Sequence, residues 1–300
     1  MNFAPPFYRV VEHVDRRALG AVQLVDAVTR LPVAAGAKVE VRHAALAGVG
    51  APVAVPLSAR RVQVVQNRSG LLVILRAPFF DDYSDSFDDP PNPPETPAGT
   101  RLRLRLAVID AGPSYLPQEF DFELPRPLDR TVAENVFQPR VVELFRAPGA
   151  PVLGGWSVLR VRVTQEGTAK PLPGVLVRVY RGPRATDAPI GQGMSEWRGD
   201  LRGEALVAVA DLPRFRPGGG ANVFETSQSV HLEATRDTAF SGAREQFPDM
   251  TKIISGTAPG IIRRRSDLPA GPPPPALAVN PPAPLDIRPG RETAIDLTMP

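Results

Sequence analysis

Along much of this chain apolar and polar residues alternate one by one, and the alternation recurs in the same arrangement twice. First, Val22-Gln23-Leu24-Val25-Asp26 is followed by a turn through Pro32 and Gly36 and then by Lys38-Val39-Glu40-Val41-Arg42. Later, Leu159-Arg160-Val161-Arg162-Val163 leads through Lys170-Pro171-Leu172-Pro173-Gly174 into Val175-Leu176-Val177-Arg178-Val179-Tyr180. A period of two is that of a β-strand, so each run predicts a strand with one face on a core and the other in water. Two strand–turn–strand copies predict two related β-sandwich modules in tandem.

The same pattern places strands at residues 7–14, 21–26, 38–43, 61–65 and 71–76, then at 101–109, 120–124 and 140–145. The strand at 101–109 is the plainest: Leu102, Leu104, Leu106 and Val108 point one way, Arg101, Arg103 and Arg105 the other. Further strands are expected at 157–164, 175–180, 205–210, 229–235 and 293–299, with one helical turn at 249–254. Residues 81–94 predict a long acidic loop ending in prolines. Residues 268–284, which contain Gly-Pro-Pro-Pro-Pro and Asn-Pro-Pro-Ala-Pro, predict an extended polyproline segment without internal hydrogen bonds. The expected fold is all-β: an N-terminal module over 1–127, a connector over 128–155, and a C-terminal module over 156–300 that carries the proline-rich segment.

Composition agrees with short strands and many turns. The chain has 300 residues, enough for two ordinary domains, and its 36 prolines and 25 glycines make up about a fifth of it. All but three of the 35 basic residues are arginine, the usage of a GC-rich bacterial genome, and the net charge of +3 is too small to predict nucleic-acid binding. There is no cysteine, which removes disulfides, thiolate metal sites and cysteine nucleophiles together. The N-terminal residues lack a basic stretch followed by an apolar run, and no apolar stretch reaches the length of a membrane span. These features predict synthesis in the cytoplasm without a Sec signal peptide, with any release being as part of an assembled particle.

The second half resembles the carboxypeptidase regulatory-like, or transthyretin-like, β-sandwich family. The residues that carry the likeness are the strand at 158–163, the turn and strand Pro171-Leu172-Pro173-Gly174-Val175-Leu176-Val177-Arg178-Val179, the run Arg202-Gly203-Glu204-Ala205-Leu206-Val207-Ala208-Val209, and Arg288-Pro289-Gly290 before the last strand. Gly174 and Gly203 are expected to supply turn conformations that a β-carbon would hinder. The resemblance implies accessory domains of transthyretin-like or immunoglobulin-like build that space or dock rather than catalyse. The order of Tyr115-Leu116-Pro117 and Glu123-Leu124-Pro125-Arg126 ahead of the second module also resembles accessory proteins of bacterial phage-tail-like contractile injection systems.

Candidate chemistry is sparse. Asp81, Asp82, Asp85, Asp88 and Asp89 offer oxygen ligands of the kind Ca²⁺ takes, but without the glycine and bidentate glutamate of an EF-hand. A solvated loop accounts for them as well. With Phe79 and Phe80 before them and Tyr83 and Phe87 among them, they also read as an aromatic-acidic contact for a partner, and the stripe Arg101, Arg103, Arg105 as a second one. The arginine stripe equally reads as a charged face that blocks edge pairing, and Arg263-Arg264-Arg265 as a solvated loop. His13, His43 and His231 stand in no ligand motif, and Gly191-Gln192-Gly193-Met194-Ser195 is not a nucleophile elbow. The sequence therefore predicts a non-enzymatic structural or adaptor protein, without cofactor or metal. Its expected partners are protein subunits rather than nucleic acid, membrane or small molecule. The alternatives are a carbohydrate- or surface-binding module, for which Trp156 and Trp197 are the stacking platforms, and an accessory chain of a hydrolase.

Overall fold

A computed structural model describes residues 18–33, 37–47, 53–55, 62–67, 69–80, 101–127, 129–181, 188–210, 212, 227–243, 245–256, 258–265 and 285–300. The strand expected at 7–14, the acidic loop at 81–94 and the polyproline segment at 268–284 lie outside them. The described chain is mostly β: β1 (Gly20–Asp26), β2 (Lys38–Ala47), β3 (Val53–Val55), β4 (Gln63–Gln66), β5 (Leu71–Arg76), β6 (Arg101–Asp110), β7 (Gln118–Leu124), β8 (Arg140–Leu144), β9 (Ser157–Gln165), β10 (Leu176–Tyr180), β11 (Gly191–Met194), β12 (Glu204–Val209), β13 (Gln228–Asp237), β14 (Ile261–Arg265), β15 (Leu285–Ile287) and β16 (Glu292–Met299). One short helix, α1 (Met250–Ser255), stands where the helical turn was expected, capped by Asp249, whose side chain accepts the N–H groups of Thr251 and Lys252.

The strands form three sheets, ordered β4-β5-β1-β8, β3-β2-β6-β7 and β14-β13-β10-β11-β12-β9-β16, with β15 also paired to β13. By contact the chain divides into two units. The first comprises Met1–Gln23, His43–Leu104 and Phe122–Arg140, and the second Leu24–Arg42, Arg105–Asp121 and Val141–Pro300.

In the first unit the period-two pattern works as expected. Leu102 and Leu104 are fully buried while Arg101 and Arg103 are exposed, and Val22, Leu72, Ile74, Phe122 and Leu124 are also buried. Gly20 is glycine for a local reason: a β-carbon there would sit 2.7 Å from the Phe122 ring.

In the second unit the pattern gives one dry and one wet face only over part of the large sheet. One face of the large sheet packs Leu159, Val161, Val163, Val177, Val179, Val207 and Val209 into a core. On the other, Val158, Leu206 and Ala208 cluster with Trp156 and Val28, while Leu176 and Met194 join Trp197, Phe240, Phe247, Met250 and Ile253. The expectation that alternate residues of this repeat face water holds for Arg160 and Arg162 of β9, which are half-buried and exposed, and is corrected for Leu176 of β10, which the second apolar layer covers. The two turn glycines hold as read. Gly174 (φ +66°) and Gly203 (φ +83°) are left-handed, and their missing β-carbons leave room for the Phe240 ring and for Pro171.

One further correction concerns a strand. Arg263-Arg264-Arg265 is not a loop but part of β14, which pairs with β13 at Thr235↔Arg263 and Glu233↔Arg265. Arg264 is only 2% exposed and donates to the Thr298 carbonyl. The last strand, β16, runs parallel to β9 in register from Glu292↔Val158 to Met299↔Gln165.

Candidate functional site

One feature of the first unit that local energetics does not explain is the turn after β5. Pro78 and Phe79 form its corner, and the Phe80 N–H closes it on the Ala77 carbonyl at 3.1 Å. Phe79 has φ +70°. Proline at the second position and a positive φ at the third is the type II arrangement, which ordinarily takes glycine where Phe79 stands. A bulky residue there costs on the order of 1–2 kcal/mol. That cost is not offset by burial, since Phe79 is 51% exposed, whereas its neighbour Phe80 is 2% exposed. The turn thus anchors one ring inside and holds the other in water. Of the other residues expected in this contact, Asp81, Asp82, Tyr83, Asp85, Phe87, Asp88 and Asp89 lie outside the described residues.

A second preorganised segment in the same unit was not singled out by sequence. Between β7 and β8, Asn135 is buried and uses both ends: its Nδ2 donates to the Val132 carbonyl at 2.8 Å and its Oδ1 accepts the Phe137 N–H at 2.8 Å. Arg126, buried over the Phe122 ring, donates to Glu134 at 2.8 Å. That hydrogen bond outweighs partial burial and holds the Glu134 carboxyl below its usual range. With its interior pinned, the segment leaves Val132 and Phe137 exposed, and Arg130 lies 4.5 Å from the Phe137 ring centroid.

The arginine stripe divides. Arg101 is exposed, while Arg103 donates to Glu123 at 2.9 Å. Arg105 meets Asp121 and Asp249, each at 2.9 Å. Burial alone would lower the Arg105 pKa, but Asp249 and Asp121 raise it above its ordinary value. Two of the three charges are therefore matched within the fold.

In the second unit the ionisable groups mostly serve the structure. Asp26 accepts the N–H groups of Val28 and Thr29, the Tyr115 hydroxyl at 2.9 Å, and an Arg146 contact at 2.7 Å. Burial pushes its pKa up, yet these donors together hold it below the usual value. Glu143 pairs with Arg30 and accepts from Gln192. Ser195 is fully buried, donating to the Leu172 carbonyl and accepting from the Val175 N–H, both at 2.8 Å, so its hydroxyl ties the turn before β10 to the residue after β11. Trp197, read as a stacking platform, is 2% exposed and meets Phe240 edge-on at 5.7 Å. Trp156 is half-buried beneath Arg146 at 4.8 Å. Among the described residues no helix is long and apolar enough to cross a membrane, and no group of three or more His, Asp or Glu side chains converges in metal-binding geometry.

One surface recess gathers residues from distant parts of the sequence: Arg42, Arg198, Glu245 and Phe247 line an open cavity of about 520 Å³. A smaller groove of about 280 Å³ runs over β9 and β16 between Arg160, Arg162, Glu204 and Asp296, where opposite charges face each other across strands. Nothing in the local sequence marks the larger recess, because its residues belong to separate segments. Compared with models of known protein families and with curated proteins, the chain matches none.

Proposed function

We propose that this chain is a non-enzymatic structural or adaptor protein that docks to other subunits of a larger bacterial assembly, of the phage-tail-like contractile kind. In this reading it is built of two tandem β-sandwich modules with long proline-rich loops, the second transthyretin-like. It contacts its neighbours through Phe79 and the aromatic-acidic run that follows in sequence. The observation that carries the reading is the Phe79 turn, where backbone strain is retained while an aromatic ring is left in water. Strain of this kind persists where the exposed group has a use, and aromatic residues on rigid supports are the usual anchors of interfaces. The pinned segment that exposes Phe137 beside Arg130 adds to it. The alternative reading as a carbohydrate-binding module gains nothing from Trp197, whose ring is covered.

The test is the mass of the species that carries the chain in extracts of its own host. Wild-type chain is expected to migrate with a particle far heavier than its own 32.3 kDa. Phe79→Gly, which suits the turn but removes the ring, is expected to migrate largely free. Wild-type chain that runs alone, in cells shown to assemble such a particle, would refute the adaptor reading.

A further inference from the structure

The large sheet of the second unit ends on β14 at one side and on β16 at the other. Two bonds fix the phase of the parallel ladder between β16 and β9, from the Val158 N–H to the Arg291 carbonyl and from the Glu166 N–H to the Met299 carbonyl. Along a strand, successive residues send their N–H and C=O groups to opposite sides. Thr293, Ile295 and Leu297 therefore face β9, while Glu292, Ala294, Asp296 and Thr298 direct their backbone groups outward. The Thr298 carbonyl accepts from the buried Arg264 side chain. Among the described residues, none takes the outward groups of Glu292, Ala294 and Asp296.

Exposed edges are ordinarily blunted by shortness, by basic residues, by proline or by a bulge. The opposite terminal strand, β14, carries three successive arginines. β16 is eight residues long, contains no proline, lysine or arginine, and keeps its register throughout. Its only charges are Glu292, met by Arg160 at 2.6 Å, and Asp296. Charge is ordered across the strands on this exposed side. Glu204 of β12 stands opposite Arg162 of β9, and Arg162 opposite Asp296 of β16, so the signs run negative, positive, negative towards the free edge. Facing opposite charges stabilise a strand pair and like charges destabilise it. Arg162 faces two carboxylates, and Asp296 keeps acceptor capacity for a second cation. A second copy pairing antiparallel about Ala294 would set Glu292 against Asp296, acid against acid. On the other face Ile295 is half-buried at the margin of the core, where an apolar neighbour would complete its burial.

We propose that the β16 edge over residues 292–296 is a docking site for an extended segment of a partner protein. That segment adds a strand to the sheet, with arginine or lysine beside Asp296 and apolar residues on the Ile295 side. The site is separate from the Phe79 turn and stands whatever that turn contacts.

The probe is a short synthetic peptide of alternating valine and threonine, with arginine at the central threonine position. It is titrated into the full chain and followed on backbone amide resonances by NMR. Saturable shifts are expected at the amides of Glu292, Ala294 and Asp296. A peptide with glutamate in place of the arginine should bind about fivefold more weakly or worse, the difference between an opposite and a like pair. Asp296→Lys should reverse that preference. Ala294→Pro removes an outward N–H while sparing the ladder to β9, and should abolish binding. Far-UV circular dichroism checks each variant's fold, and the Asp296→Lys reversal decides if the proline variant does not fold. Shifts that never saturate, shifts confined to amides away from β16, equal affinity for the two peptides, or wild-type binding in folded Ala294→Pro would overturn the proposal. So would β16 shifts that follow protein concentration without peptide, which would assign the edge to a second copy of the chain.

Discussion

Tyr115 and Asp26 are 89 residues apart in sequence and share a hydrogen bond of 2.9 Å. Burial, then the bond to Asp26 and that residue's charge, push the Tyr115 phenol up to about 12. A folded-state pKa raised above the unfolded value near 10 adds stability that is fully present below about pH 10 and is lost as pH rises through about 12. Absorbance titration at 295 nm should therefore show a phenol still protonated above pH 11, absent in Tyr115→Phe. For Asp26 the sign is opposite: its depressed pKa contributes stability above the ordinary carboxylate range, lost as pH falls through the folded value. Phe79→Gly tests strain at the same scale. Equilibrium denaturation should find it as stable as wild type or more stable by roughly 0.5–1 kcal/mol, since glycine takes φ +70° without steric cost. A loss of 1 kcal/mol or more would mean that the ring is packed rather than presented. Sequence pointed to Phe79 by its aromatic neighbours. It could not reveal the strain, because a positive φ at a non-glycine residue has no local signature.

At the scale of elements, strands with a clear period-two alternation, such as β6 and β7, were legible, and strands without one, such as β11, were not. β11 reads Gly-Gln-Gly-Met, with neither alternation nor β-branching, yet it lies between β10 and β12 with all four residues buried. Its glycines reflect crowding: a β-carbon at Gly193 would stand 2.2 Å from the Leu206 carbonyl oxygen, a backbone atom that cannot swing aside. Gly193→Ala is expected to cost roughly 1–3 kcal/mol in chemical denaturation, as overpacking does. Gly154→Ala, with open space around its β-carbon, should stay within about 0.5 kcal/mol of wild type. β14 was missed for a related reason. Three successive arginines read as solvated until Arg264 is seen to reach the Thr298 carbonyl of the opposite edge strand. That burial lowers its pKa below the ordinary arginine value.

At the scale of the whole molecule, the number of layers matters more than the identity of the strands. A strand with one wet face tolerates truncation on that face within about 0.5 kcal/mol. Leu206 lies on the face of β12 that simple alternation assigns to water, but it is 1% exposed and clusters with Val158, Ala208, Trp156 and Val28. Leu206→Ala is therefore expected to destabilise the chain by about 2–5 kcal/mol. An effect under 0.5 kcal/mol would restore the one-faced sheet. The recess at Arg42, Arg198 and Phe247 belongs to this scale as well, since the residues that form it have no relation until the chain folds.

Local patterning alone determined that the chain is made of strands, where most of them run, and which glycines turn the chain at 174 and 203. These follow from side-chain period and backbone sterics, which act over a few residues. Tertiary structure alone decided which strands share a sheet, that a second apolar layer covers part of the other face of the large sheet, that Arg103 and Arg105 are matched by carboxylates, and that two arginines gather on one ring. Those outcomes depend on contacts between residues tens to hundreds of positions apart, for which a single sequence carries no periodic signal.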